Sequence, residues 1–130
     1  MNIKKVSEQT GLSADTIRYY ERIGLLPRVR RNKSGIRDFS EQDIATLEFI
    51  RCFRRAGMSV ESLIEYMNLV EQGEGTEEAR MHLLQEQRDK LDARIDELLA
   101  TRNRMDYKIK NYQNILLEKE NVLFDEKPEE

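Results

Sequence analysis

Thr16-Ile17-Arg18-Tyr19-Tyr20-Glu21-Arg22-Ile23-Gly24-Leu25-Leu26-Pro27 is the stretch on which the fold turns. Ser13 offers an N-cap just ahead of it, which predicts a helix from Ala14 to Ile23, and Gly24 with Pro27 ends that helix. Upstream, Ile3 to Thr10 reads as a short helix with Val6 facing inward, stopped by Gly11. Helix, tight turn and helix in this order predict a helix-turn-helix, a geometry that sends its second helix into the major groove of DNA. Ala14, Asp15, Thr16, Arg18 and Tyr19 then lie near the start and on the outward face of that helix. Arg18 can give a bidentate hydrogen bond to guanine or grip a phosphate, and a tyrosine hydroxyl can donate to a phosphate oxygen. Packing is the other ordinary role for Tyr19 and Tyr20, and it suits one of the two.

Working outward, Arg28 to Phe39 has turn residues at Asn32 to Gly35 between short strand-like pieces, which predicts a small hairpin. It carries Arg28, Arg30, Arg31, Lys33 and Arg37, more cations than a solvated loop requires, and so reads as a wing on a nucleic-acid backbone. A third helix starts at the capping-box pattern Ser40-Glu41-Gln42-Asp43, runs through Ile44, Leu47, Ile50 and Phe53, and stops near Gly57. Arg54 and Arg55 at its end are either a further clamp on DNA or a solvated helix end. Ser59 caps a fourth helix with Val60, Leu63, Ile64, Met67 and Leu69 or Val70 inward, and Gly73-Glu74-Gly75 breaks it.

From Thr76 the chain continues for about forty residues without Gly or Pro, which predicts one long helix. Leu84, Leu91, Leu98, Met105 and Tyr112 recur at one heptad position, with Met81, Ile95, Ile109 and Leu116 at the other. That is a coiled-coil seam. Arg88 and Arg102 interrupt it and would be costly against identical residues, whereas an antiparallel pairing brings them toward Asp92, Asp96 or Glu97. An amphipathic helix lying on its own head would leave a similar pattern. The expected organisation is mainly α: a winged helix-turn-helix head over 1–72, a dimerisation helix over 76–120 and a frayed tail over 121–130.

Composition agrees with that division. Of 130 residues, 38% are hydrophobic and 36% charged, with a mean hydropathy of -0.75, so much of the surface needs water or a partner chain. Residues 1–58 hold 12 Lys/Arg against 7 Asp/Glu and the remainder 10 against 18, so a basic head precedes an acidic tail. Such a head attracts phosphates while the tail is repelled. The polar opening Met1-Asn2-Ile3-Lys4-Lys5 lacks a signal-peptide core and no window reaches a membrane-spanning length, so a cytoplasmic protein is expected. The single cysteine, Cys52, excludes an internal disulfide and every multi-cysteine metal pattern, and no metal or cofactor is expected. No histidine-based acid/base pair, nucleophile elbow or phosphate-cradling glycine loop supports an enzyme. A coiled-coil interaction adaptor competes with the DNA-binding reading, and the basic wing argues against it.

The segments Ile3-Lys4-Lys5-Val6-Ser7, Thr16 to Pro27 and Gly35-Ile36-Arg37-Asp38-Phe39 together resemble the MerR family of transcription regulators, and the resemblance covers the whole chain. It implies a winged-helix homodimer held by an antiparallel coiled coil. It further implies binding to an inverted repeat of double-stranded promoter DNA whose over-long spacer is bent and untwisted so that RNA polymerase can engage it. The family's DNA contacts map onto Arg18, Tyr19, Arg31 and Arg37, and onto Thr16, Tyr20, Lys33 and Arg54. Many members carry Tyr where Ile36 stands, so that hydroxyl contact is absent. The heptad seam assigns dimerisation to Leu84, Leu91, Ile95, Leu98, Met105, Ile109, Tyr112 and Leu116.

Effector specificity in the family resides at or beyond the coiled coil, and the cysteine pairs, cysteine clusters and appended domains of its metal, redox and drug sensors are not expected here. Phe49-Ile50-Arg51-Cys52-Phe53-Arg54-Arg55 is similar to the AdhR/NmlR branch, which is associated with aldehyde and electrophile stress. Flanking arginines favour the nucleophilic form of a thiol, so Cys52 is the candidate sensor, by alkylation, an intermolecular disulfide or a mixed thiol adduct. Alternatively Cys52 is a small buried hydrophobe between Phe49 and Phe53 and the regulator is effector-independent. His82 is assigned no role.

Overall fold

A computed structural model describes residues 1–112 and 117–124. Among these, the helices are α1 (Ile3–Thr10), α2 (Ala14–Arg22), α3 (Glu41–Arg55), α4 (Val60–Gln72), α5 (Glu77–Lys110) and α6 (Leu117–Phe124). The contact pattern divides the chain into Met1–Arg88 and Asp89–Glu130, with the boundary inside α5.

In the first unit, polar side chains set each helix start. Asn2 accepts the Lys5 N–H, Ser13 the Thr16 N–H and Ser59 the Ser62 N–H, each satisfying a backbone donor that the first turn leaves free. Ser40 and Asp43 form the reciprocal capping box anticipated at the start of α3. Gly11 closes α1 in the left-handed region at φ 77, and a Cβ there would stand 3.1 Å from the Arg51 guanidinium. Glycine answers both demands.

Helical spacing then selects the core. Ile17 and Tyr20 share one face of α2, and Ile44, Leu47 and Ile50 share one face of α3; all five are buried with Val6, Val29, Met58 and Leu63. Past Gly24 the chain folds back over α2, and the N–H groups of Leu25 and Leu26 both donate to the Tyr20 carbonyl, at 2.9 and 3.0 Å. This wrap leaves both leucine side chains at 0% exposure, where each contributes roughly 1.5–3 kcal/mol.

The expected hairpin is reduced to one antiparallel bridge, Arg31 with Arg37, and its strand-like pieces are not strands. Asn32 N–H donates to the Ile36 carbonyl and Asp38 N–H to the Arg30 carbonyl, both at 2.8 Å. Beyond that the backbone donors are spent elsewhere, which stops the ladder. The Val29 N–H goes to the Glu21 carboxylate and the Phe39 N–H to the Met1 carbonyl.

Thr76 joins α4 to α5. It is buried, donates from its hydroxyl to the Leu69 and Gly73 carbonyls, and accepts from the Arg80 guanidinium. Two turns later Leu83 completes the core of the first unit. α5 spans Glu77–Lys110; residues 113–116 of the helix expected over 76–120 lie outside the described residues. At its end the Asn111 side-chain amide and backbone N–H both donate to the Tyr107 carbonyl, at 2.8 and 3.1 Å, and Lys108 and Lys110 suit the negative end of a helix. Asn121 to Phe124, expected as frayed tail, belong to α6.

Candidate nucleic-acid interface

Five residues past its cap, α2 presents Arg18 to solvent, where its guanidinium pairs with Asp15 at 3.0 Å. Tyr19 beside it is 40% exposed, and the Arg22 guanidinium lies 5.3 Å from its ring centroid, a cation–π distance. Thr16 is half-buried, and its hydroxyl accepts from Ser13 at 2.8 Å. Tyr20 is corrected from DNA-facing residue to core: at 7% exposure it sits with Ile17, three positions earlier and so on the inward face.

The wing sets its cations beside this helix. Arg31 donates to the Gly35 carbonyl at 2.9 Å and so braces the turn that carries the exposed Lys33. Arg30 is 84% exposed, with Asp38 at 3.6 Å. Arg37 is drawn inward: its Nε donates to Glu21 Oε1 at 2.6 Å, and the two side chains are only 23% and 11% exposed. The other oxygen of Glu21 accepts the Val29 N–H at 2.7 Å. Burial pushes the Glu21 carboxyl up, yet the Arg37 hydrogen bond, the Val29 N–H and the charges of Arg37 and Arg31 outweigh it and hold the group below its ordinary range.

Between α2 and the wing lies an open depression of about 440 Å³ lined by Arg18, Glu21, Arg22, Arg28, Arg31 and Arg37. Five guanidinium groups around one carboxylate leave a strong positive excess, suited to the phosphates of a nucleic-acid backbone. A second depression of about 420 Å³ shares Arg18, Arg31 and Arg37 and adds Lys4 and Ile36, the latter 56% exposed.

Other anticipated residues lie elsewhere. Arg54 donates to the Met58 carbonyl at 2.8 Å, tying the end of α3 to the turn before α4, and does not line either arginine-rich depression. Cys52 is exposed, so the reading that buries it between Phe49 and Phe53 does not hold; those rings pack on each other with centroids 4.5 Å apart and leave the thiol outside. It lines a separate depression of about 380 Å³ with Arg51, Arg55 and Glu48. Along the seam, Leu84 and Leu91 are half-buried, while Ile95, Leu98, Met105, Ile109 and Tyr112 are exposed, Ile109 by 67%. Leu116 lies outside the described residues. His82 faces Glu78 on the surface of α5. Among the described residues, no cluster of three or more His, Cys, Asp or Glu suits a metal, and no helix is long and apolar enough to cross a membrane.

Glu21 and Arg22 were not among the residues singled out from the sequence. Arg22 was findable, because it stands one turn after Arg18 on the same face. Glu21 was not, since its partners Val29 and Arg37 come from the far side of a turn.

A capped helix-turn-helix with an arginine-rich wing defines a DNA-binding regulator by class. The description "MerR HTH family regulatory protein" matches residues 1–69 and "MerR, DNA binding" matches 44–107, and the chain belongs to the MerR family. It is 54% identical over 91 residues to the HTH-type transcriptional regulator AdhR of Bacillus subtilis (strain 168), covering 70% of this chain and 65% of that one. The chain thus spans less than two thirds of that relative's length. Among solved structures, a MerR family transcriptional regulator from Listeria monocytogenes matches with a TM-score of 0.84 at 50% identity, covering 96% of this chain and 95% of that one. HiNmlR, a MerR family regulator lacking the sensor domain and bound to promoter DNA, matches with a TM-score of 0.78 at 32% identity, covering 87% and 86%.

Proposed function

We propose that the chain is a cytoplasmic, homodimeric transcription regulator that binds an inverted repeat in double-stranded promoter DNA. The observation that carries this reading is the arginine-lined depression between α2 and the wing. Arg18 and Tyr19 address the groove, and Arg31 with Lys33 addresses the backbone beside it. The seam of α5 pairs antiparallel with that of a second copy, which covers Ile95, Leu98, Met105 and Ile109. Two heads held at a set distance grip both half-sites, and the dimer distorts the over-long promoter spacer between them so that RNA polymerase engages both elements. DNA bound to the relative HiNmlR supports the first step.

Selection of duplexes from a random pool by the intact chain, followed by footprinting, tests the reading. A protected inverted repeat, with affinity that falls steeply as salt rises, is expected. Arg18→Ala and Arg31→Ala each lower the salt slope by about 0.9 if each removes one phosphate contact. Recovery of no duplex, or binding indifferent to salt, refutes the proposal and returns the chain to the interaction-adaptor class.

The signal enters at Cys52, whose exposure and whose neighbours Arg51 and Arg55 support that reading. With an α,β-unsaturated aldehyde, the sulfur bonds to the β-carbon, the C=C pair shifts toward the carbonyl, and the thiol proton ends on the α-carbon. No oxidant is needed. Intact-mass spectrometry after aldehyde treatment should show one adduct that Cys52→Ser lacks. If that variant still responds fully to aldehyde in a promoter assay, the sensor assignment fails.

A further inference from the structure

Glu21 is the one carboxylate among the arginines of the interface depression, where a plain cation patch for phosphate has no use for it. Both of its oxygens are engaged, one with Arg37 Nε at 2.6 Å and the other with the Val29 N–H at 2.7 Å. These three residues belong to three segments: the last turn of α2, the approach to the wing, and the return leg of the wing. Their side chains are also withdrawn from solvent, Arg37 at 23% and Glu21 at 11%, whereas Arg18 is at 45% and Arg30 at 84%. The bridge between Arg31 and Arg37 is the only ladder element of the wing among the described residues, so the hairpin cannot hold its own angle by pairing.

We infer that Glu21 is the positioning residue of the DNA interface, and that Arg37 serves it as a brace rather than acting as a free phosphate-binding cation. Each oxygen pins one leg of the wing, so a single side chain links both legs to α2, while Met1 holds the return leg at Asp38 and Phe39. Arg31 and Lys33 are thereby held at the spacing that Arg18 and Tyr19 require. A carboxylate this close to DNA phosphates costs affinity by simple electrostatics. Its retention is accounted for if the geometry it imposes is worth more than the repulsion.

This inference rests on the DNA-binding reading, and its test separates the two. The intact chain and its Glu21→Gln, Arg37→Lys, Arg37→Ala and Arg31→Ala variants are titrated across a salt series. The probes are a duplex selected by the wild-type chain and a scrambled duplex of equal length, with circular dichroism and melting confirming that each variant is folded. Glu21→Gln is nearly isosteric, keeps an acceptor for Val29 and removes a negative charge. It should nevertheless weaken binding to the selected duplex by about tenfold while leaving scrambled-duplex affinity equal or higher. Arg37→Ala, or Arg37→Lys should the alanine variant unfold, should weaken selected-duplex binding without lowering the salt slope, whereas Arg31→Ala lowers it by about 0.9. Glu21→Gln combined with the Arg37 variant should lose no more than the worse single variant. A Glu21→Gln chain that binds the selected duplex as tightly as wild type overturns the inference, as does an Arg37 variant whose slope falls like that of Arg31→Ala. Wild-type chain that binds neither duplex overturns the DNA-binding reading itself.

Discussion

The head, residues 1–88, and the stretch of α5 beyond it dispose of apolar side chains in opposite ways. In the head, Ile17, Leu25, Leu26, Leu47, Ile50 and Leu63 are wholly withdrawn from water, and the exposed surface beside them is arginine-rich. From Asp89 onward, Ile95, Leu98, Leu99, Met105, Tyr107 and Ile109 all stand exposed on one helix. A folded unit can hide its apolar groups from within because several segments converge on them. A single helix has no other side, so its apolar stripe is an instruction for assembly. On the proposed reading the contrast lets one chain both read DNA and pair: the head needs no partner for its core, whereas the exposed stripe of the helix suits one.

The largest effect that sharpens this contrast lies in the core. Ile50→Ala should destabilise the head by about 2–5 kcal/mol through lost burial and the cavity left behind. Ile109→Ala, at a position 67% exposed, should change urea unfolding of dilute monomer by less than about 0.5 kcal/mol. Equal midpoint shifts for the two would break the distinction. Next in size is the seam: Leu98→Asp should abolish the rise of melting temperature with protein concentration that a dimer shows. It should also lower affinity for an inverted repeat by about a hundredfold, because the two half-sites then bind separately. Sedimentation velocity checks the first result and duplex titration the second.

A smaller effect tests the brace between α2 and the wing. The Glu21 carboxyl lies below its ordinary range in the folded chain, so its stabilising contribution is present above the unfolded value and lost as pH falls through the folded one. Wild type should exceed Glu21→Gln by about 1–3 kcal/mol at neutral pH. The two unfolding curves should converge in acid, below the ordinary carboxylate range; a gap that persists there contradicts the assignment. Smallest is the cap of α2: Ser13→Ala should cost about 1 kcal/mol in the head and leave the concentration dependence of melting unchanged.

Much of the head was legible in residue order because its signals are local. Asn2, Ser13, Ser40 and Ser59 act on backbone groups within three residues of themselves. Glycine at position 11 likewise marks a turn that its own φ requires. The site was legible in part. The cations were countable, and Arg18 and Tyr19 do face solvent, but Tyr20, adjacent to Tyr19 and chemically identical to it, is core. Only the helical phase relative to Ile17 separates them. The expected hairpin shrank because its donors at Val29 and Phe39 have nonlocal partners, and the pairing of Arg37 with Glu21 is equally nonlocal.

Capping, periodicity and turn residues act between neighbours a few positions apart, so residue order alone established where the helices of the head start, which of their faces are apolar, that the wing is cationic, and that the last long helix carries an apolar heptad repeat. Which oxygen of Glu21 holds which leg of the wing, that Cys52 lies open while Phe49 and Phe53 close on each other, and that Thr76 ties α4 to α5 are decided by packing. These contacts join groups brought together by the bends between helices, and short-range patterns do not encode where such bends lead.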